Sequence, residues 1–319
     1  MVHSDEVSRR SFLATAAAAG ATASLTPSET AKATASKVSH QPRFRYCFNT
    51  STIRGQKLPL NQEVELVAKA GYDGIEPWTR ELEDVVKNGG SLKDLKKQIA
   101  DCGLRVESVI GFARWIVDDD NERQVGLEQA KRDMDLVQQI GGMRIAAPPV
   151  GATGGPSLDL LQVAQRYRAL LTLGEGIGVI PQIEVWGFSR NLSRLGEAVL
   201  AAIEAGHPDA CLLPDVYHLY KGGSDFAGLK MVEGTSMHCF HINDYPANPP
   251  RETIGDKDRV YPGDGVAPLD LILRTLAETG FAGALSLELF NRDYWAQDAQ
   301  EIARTGLEKT KEAVARALP

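Results

Sequence analysis

From Phe44 onward the chain repeats one two-part unit: a short apolar run rich in Val, Ile, Leu and aromatics, then a longer segment with helical spacing of its apolar residues. Strands are expected at Phe44–Phe48, Gly74–Glu76, Arg105–Ile110, Met143–Ala147, Val179–Val185, Ala210–Asp215, His238–Asn243 and Ala284–Leu289. Helices are expected at Asn61–Gly71, Ser91–Gly103, Asn121–Gly141, Ser157–Gly176, Leu192–Gly206, Phe226–Gly234 and Pro268–Gly280, with Asp298–Leu318 closing the chain. Several end in glycine, which tolerates the positive φ common just past a helix C-terminus, and some open near Asn, Ser or Asp as N-caps. Eight alternating units with no linker-like stretch predict an α/β fold: a (β/α)8 TIM barrel forming a single domain over residues 41–319. A doubly wound open sheet is the alternative, disfavoured because no Gly-x-Gly-x-x-Gly follows the first strand.

Residues 1–40 stand apart from this pattern. Ser8-Arg9-Arg10-Ser11-Phe12-Leu13 precedes a weakly apolar stretch, Ala14 to Leu25, and then small residues including Ala33-Thr34-Ala35. The order resembles a twin-arginine export signal, with cleavage expected near Ala35 or after Ala21-Thr22-Ala23. Its implied partner is the twin-arginine export machinery, and the implied location is periplasmic or otherwise extracytoplasmic. No later run approaches the roughly 18 apolar residues that a membrane-spanning helix needs.

The formal net charge of -7 argues against an affinity built on neutralising phosphates, so no nucleic-acid partner is expected. A small-molecule ligand fits better. The four cysteines, Cys47, Cys102, Cys211 and Cys239, are widely spaced without a Cys-x-x-Cys pair and read as small core residues.

In a barrel of this kind chemistry sits where strands end and the following loops begin. Glu184, Asp215, His241 and Glu288 each fall near the C-terminal end of an apolar strand, one on each of four consecutive strands. Alone, each has an ordinary structural explanation. Together they differ, because buried carboxylates cost several kcal/mol unless paired or metal-bound, and adjacent strands would bring all four to one point. Three carboxylates and an imidazole suit one divalent ion; Mn²⁺ is favoured, with Mg²⁺, Co²⁺ and Zn²⁺ as rivals. Such an ion polarises a carbonyl and its neighbouring hydroxyl and eases removal of the adjacent C–H proton. A carboxylate on each face of the resulting enediolate can take a proton and return it.

Gly71-Tyr72-Asp73-Gly74-Ile75-Glu76, Glu184 in Ile-Glu-Val, Asp215-Val216-Tyr217-His218, His241-Ile242-Asn243-Asp244, Pro262-Gly263-Asp264-Gly265 and Ser286-Leu287-Glu288 give the chain a clear likeness. It resembles the xylose isomerase-like TIM-barrel family of sugar isomerases and epimerases, including D-tagatose 3-epimerase and hydroxypyruvate isomerase relatives, over nearly all of its length after the signal. The resemblance implies that Glu184, Asp215, His241 and Glu288 hold the metal, that Glu184 and Glu288 also move the proton, and that His218 contacts the sugar. It further implies a divalent-metal-dependent isomerase, with homodimerisation as an expected assembly. Where many epimerases of the group carry an arginine after the seventh-strand histidine, this chain reads Pro246-Ala247-Asn248.

Further substrate-binding candidates are Glu76, Trp186, Arg251 and Arg259, with Trp78, Arg114, Trp115, Asn243 and Asp244 beside them. Aromatics at loop starts can cover the apolar face of a sugar ring, and the long loop from Asn243 to Gly265 can carry Arg251 or Arg259 over the metal. Because phosphorylated sugars are scarce outside the cytoplasm, the expected substrate is a free sugar or a keto-glycoside. Three rivals remain. A lyase or hydratase on an oxidised sugar would use the same ligands; a non-catalytic sugar-binding barrel would not need two proton-transfer glutamates. A DNA-repair barrel with a three-metal cluster needs more histidines than the six present and a less acidic chain.

Overall fold

The computed structural model describes residues 44–319; the expected export signal and the start of the domain assigned to 41–319 lie outside the described residues. Eight parallel strands occur in the expected order: Arg45–Asn49 (β1), Gly74–Glu76 (β2), Arg105–Val106 (β3), Arg144–Ala147 (β4), Ile180–Glu184 (β5), Leu212–Leu213 (β6), Cys239–Ile242 (β7) and Ala284–Leu287 (β8). Ten helices surround them: Leu60–Ala70 (α1), Thr79–Lys87 (α2), Leu92–Asp101 (α3), Asp120–Gln139 (α4), Leu160–Ile177 (α5), Leu195–Ala205 (α6), Val216–Gly222 (α7), Leu269–Glu278 (α8), Arg292–Trp295 (α9) and Ala299–Ala317 (α10). No helix among them is long and apolar enough to cross a membrane.

Strands β3-β2-β1-β8-β7 form one hydrogen-bonded sheet and β4-β5-β6 another. Single bridges Leu212 to Met237 and Asp215 to His241 join them on one side. On the other, Val109 N–H donates to Arg144 O and Ala146 N–H to Val109 O. The two sheets are therefore one closed barrel, as the alternating pattern predicts.

Local chemistry explains where the structure departs from the sequence pattern. β6 is two residues long because Pro214 has no N–H to continue the ladder; pairing resumes at Asp215. The helix expected at Phe226–Gly234 is instead a 3-10 turn over Phe226–Met231. Gly234 packs directly on the next element, so that a Cβ there would lie 2.0 Å from Phe281 N. Three helices were not expected: α2, α7 and the short α9, whose N-cap Asn291 accepts from Asp293 N–H. α2 opens beneath Trp78, where the Glu81 carboxylate accepts from Trp78 N–H, and α7 is capped by Asp215, whose side chain accepts from His218 N–H at 2.8 Å. The α5 stop is Gly178, at φ +85°, rather than Gly176.

The cysteines are free, three of them buried, consistent with core packing. One buried charge is unrelated to the barrel mouth. Glu63, in the first turn of α1, is 2% exposed, and its Oε2 has no hydrogen-bond partner among the described residues. Burial, with the nearby Glu81 charge adding to it, pushes the Glu63 carboxyl up to about 9. The folded chain therefore holds one more proton than the unfolded chain between the ordinary glutamate pKa and that value. Stability contributed by this site is lost as pH rises through that window, with a limiting slope of about 1.4 kcal/mol per pH unit. Glu63→Gln is expected to raise the melting temperature at pH 8 and to converge with the parent chain near pH 4.5. Parallel pH profiles for the two proteins would contradict this.

Candidate functional site

Strand register assembles the site. Asp215 is bridged to His241 across the β6–β7 seam, His241 pairs with Ser286, and Glu288 N–H donates to Ile242 O. On the opposite arc Asn49 pairs with Glu76, while Glu184 ends β5 in register with Leu213, two residues before Asp215. Because side chains alternate along a strand, Glu76, Asp215, His241 and Glu288 project into the same interior layer. Ligand atoms of Asp215, His241 and Glu288 all lie within 4.8 Å of one another; those of Glu76, Cys239 and His241 form a second such group. Glu184 lines the same pocket as Glu288 but stands outside both tight groups.

His241 has two distinct sides. Its Nε2 lies 3.2 Å from Glu76 Oε1 and 3.1 Å from Oε2. Glu76 is itself fixed, accepting from Asn49 Nδ2 at 2.9 Å and from the Ser286 hydroxyl at 2.6 Å. Nδ1 faces the other way, 3.3 Å from Glu288 Oε2 and 3.7 Å from Asp215 Oδ2, and makes no hydrogen bond among the described residues. With Glu76 receiving the Nε2 proton, Nδ1 is the ring nitrogen that would bind an ion, on giving up the proton that Glu288 and Asp215 favour.

Arg259 supplies the other positive charge. Its Nη1 donates to Asp215 Oδ2 at 2.9 Å and to Glu288 Oε2 at 2.8 Å, and its Nη2 to Asp256 Oδ1 at 2.6 Å. The guanidinium carbon stands 4.4 Å from the ring centroid of Tyr217 and 5.0 Å from that of Phe290. The loop that carries it is tied down by Asp244, which accepts from the backbone N–H groups of Tyr245, Gly263, Gly265 and Ala267. A Cβ on residue 265 would meet Asp244 Oδ1 at 2.3 Å, which explains the second glycine of Pro262-Gly263-Asp264-Gly265.

Charge balance decides what the site can hold. Glu76, Glu184, Asp215 and Glu288 are buried together, and among the described residues the cations paired with this group are Arg259 and His241. Burial pushes the Glu184 carboxyl up to about 8, with Glu288 and Asp215 adding to the rise against the pull of His241, and its Oε2 has no hydrogen-bond partner among the described residues. Burial opposes charge on Glu288 as well, but His241 and Arg259 outweigh it and hold that carboxyl well below the usual range. Burial likewise works against a charged His241; Glu288 and Glu76 overcome it and raise the imidazole well above its ordinary value. The excess of carboxylate, with two orphaned buried atoms of ligand type, Glu184 Oε2 and His241 Nδ1, is what a divalent cation would satisfy.

The cavity over these groups measures about 180 Å³. Glu184, His218, Asp256, Arg259 and Glu288 form its polar side; Trp78, Ile110, Phe112, Trp186, Phe188 and Phe290 form its apolar side. His218 is buried in α7, with Arg259 Nη2 3.1 Å from its Nε2 and Gly187 N–H 3.3 Å from its Nδ1. Burial and the neighbouring Arg259 lower its pKa, favouring the neutral ring. Bare backbone at Gly187 makes this approach feasible: a Cβ there would fall 2.2 Å from His218 O.

Other candidates fall elsewhere. Glu76 is fully buried behind His241, as a support for that ring rather than a group facing a substrate. Arg251 lies on the surface, 3.9 Å from Glu252. Arg114 pairs with Glu122 in solvent, and Trp115 is core, its indole N–H donating to Pro148 O. Asn243 braces Asp215, donating to Oδ2 at 3.0 Å. Asn49, absent from the candidates, donates to both Glu76 and Glu288 at 2.9 and 3.3 Å and accepts from the Trp78 indole. Its signal was available, a polar residue directly after an apolar strand. Asp256 had none, since nothing in its loop marks it as a partner of Arg259.

Known proteins share this architecture. An inosose isomerase of Bacillus velezensis is 26% identical over 276 residues, spanning 86% of this chain and 98% of its own. A 3-dehydroshikimate dehydratase of Pseudomonas aeruginosa is 27% identical over 278 residues, 82% of this chain but 42% of its own length. The crystal structure of the IOLI protein with a binding zinc atom superposes with a TM-score of 0.79 at 25% identity, covering 86% of this chain and 99% of that one. Residues 64–313 match the family described as xylose isomerase-like TIM barrel, and the chain belongs to that family.

Proposed function

We propose that the protein is a divalent-metal-dependent isomerase or epimerase that moves a proton beside the carbonyl of a small, uncharged hydroxyketone of sugar type. The observation that carries this is the clustering of Asp215, His241 and Glu288 under a one-ring pocket, with Glu184 beside them. The likeness to inosose isomerase supports it. In this reading Glu184, Asp215, His241 and Glu288 hold the ion; Mn²⁺ is favoured over Mg²⁺, Co²⁺ and Zn²⁺ on donor chemistry. When bound, the ion supplies positive charge that stabilises the oxyanion developing as the proton leaves.

The chain's own groups do the rest. Glu184, poised near neutrality by burial, takes or returns the proton on one face, and Glu288 serves the other. His218 and Arg259 orient substrate oxygens from the polar side, while Trp78 and Phe290 exclude water and cover the C–H face of a ring. Glu76 keeps the His241 lone pair aimed inward. The likeness of Ser8–Leu13 and Ala33–Ala35 to a twin-arginine signal supports a reading in which this activity lies outside the cytoplasm. A second reading, loss of water from the same carbanion, is favoured by the likeness to 3-dehydroshikimate dehydratase; product analysis separates the two.

The first test is solvent-deuterium incorporation into a panel of ring and open-chain ketoses by the metal-loaded protein. Exchange is expected to need added metal and to fall by about 100-fold or more in Glu184→Gln and in Glu288→Gln. Exchange that survives both substitutions would remove the proton-transfer assignment. A second test addresses Glu76. Glu76→Ala is expected to weaken metal binding by about tenfold or more, measured by competition with a chromophoric chelator, whereas Glu76→Gln retains an acceptor for Nε2–H and loses less. Equal affinities in all three proteins would show that the carboxylate does not hold the imidazole for metal.

A further inference from the structure

The pocket has room for one ring and little more, since about 180 Å³ is well short of the ~300 Å³ at the lower end for small-molecule sites. Its apolar wall nevertheless continues outward. Trp78, 7% exposed, packs against Phe112 at 5.0 Å between centroids; Phe112 leads to Trp186 at 6.3 Å, and Trp186 to Phe188 at 5.2 Å. Phe188 is 47% exposed. Contacting rings thus run from the buried floor to open solvent, where an apolar ligand group covering the exposed face of Phe188 would gain free energy.

A polyol ring seated at the carboxylates covers the inner end of this wall and leaves the exposed part of Phe188 in water. An anionic extension of that ring would not suit the mouth. Arg259, the one arginine among the pocket-lining residues, already donates to Asp215, Asp256 and Glu288. Arg54 and Arg80 approach Trp78 at 3.8 and 4.5 Å from its ring centroid but do not line the pocket.

We propose that Trp186 and Phe188 form a subsite for an apolar group, aryl or alkyl, joined to the ring on which the carboxylates act. The substrate class is then a keto-glycoside or similar conjugate rather than a bare sugar or a sugar phosphate. This rests on the reading above that the pocket takes a sugar-like ring. Trp186 covers the near side of the attached group, and Phe188 the side toward solvent.

The experiment is a binding titration of the whole metal-loaded protein with methyl β-D-glucopyranoside, phenyl β-D-glucopyranoside and glucose 6-phosphate, read by calorimetry. The phenyl compound is expected to bind about tenfold or more tighter than the methyl compound, and Phe188→Ala and Trp186→Ala to bring that ratio close to one. Phe188 is half in water, so its truncation leaves the core intact; an unchanged melting temperature verifies this. A ratio near one in the parent protein, a ratio that survives both substitutions, tightest binding of glucose 6-phosphate, or no binding of either glycoside would each overturn the subsite. Deuterium exchange separates this from the catalytic reading. An aryl preference without exchange on any ketone removes the catalysis and leaves the subsite, whereas exchange on free ketoses without an aryl preference removes only the subsite.

Discussion

Four carboxylates buried at one end of the barrel, with Arg259 and His241 as their cationic partners, set the terms for everything around them. Burying an ionised carboxylate without compensation costs several kcal/mol, so a chain that retains Glu76, Glu184, Asp215 and Glu288 there must return that energy through partners. The hydrogen bonds account for three of them. Glu76 has Asn49, Ser286 and His241; Asp215 has Asn243, Arg259 and the His218 backbone; Glu288 has Asn49 and Arg259. Glu184 is left with an unpaired oxygen and a raised pKa. Glu63 shows that an unpaired buried oxygen alone is no ligand site; beside Asp215, His241 and Glu288, however, the Glu184 oxygen stands where a cation would complete the balance.

The support for this arrangement comes from across the barrel rather than from neighbouring residues. Glu76 and His241 belong to strands separated by β1 and β8, and Asn49 reaches Glu288 from the end of β1. Closing the barrel is what makes these contacts possible, because an open sheet would hold β2 and β7 apart. The short β6 belongs to the same logic. Pro214 ends its ladder, Asp215 turns out of the strand, and one Asp215 carboxylate then caps α7 through Oδ1 while binding Arg259 and Asn243 through Oδ2. A single side chain thus sets the position of His218 and of the cationic group beside it.

The barrel and the four mouth residues were legible because each rests on a local rule. Buried parallel strands read as short apolar runs, glycines mark helix ends, and a charged residue at the end of an apolar strand is conspicuous. What was not legible depends on direction and on distant backbone. Glu76 obeys the same strand-end rule as Glu184, yet it points beneath the pocket at His241, and no sequence spacing distinguishes the two. Arg251 and Arg259 look equivalent in one loop; only the second is drawn inward, because Asp244 and the Asp244 to Val260 bridge hold its end of the loop against the barrel. The Phe226–Gly234 segment carried helical periodicity but meets a close backbone contact at Gly234 that periodicity does not encode.

The loop from Asn243 to Gly265 resolves the apparent departure at Pro246-Ala247-Asn248. An arginine at position 259 reaches the mouth carboxylates only if the intervening chain returns to the barrel. Here it does return, in antiparallel pairing at Val260, with four backbone N–H groups gathered on Asp244. The guanidinium is then committed to Asp215, Glu288 and Asp256 before any substrate arrives. A cation so engaged can orient a neutral hydroxyl or carbonyl through its remaining surface, but its charge is already shared among three carboxylates, and drawing Nη1 to a phosphate would abandon the buried Asp215 and Glu288. On the proposed reading the polar wall suits uncharged substrates for the same reason that it is stable, and discrimination among them falls to the aromatic side.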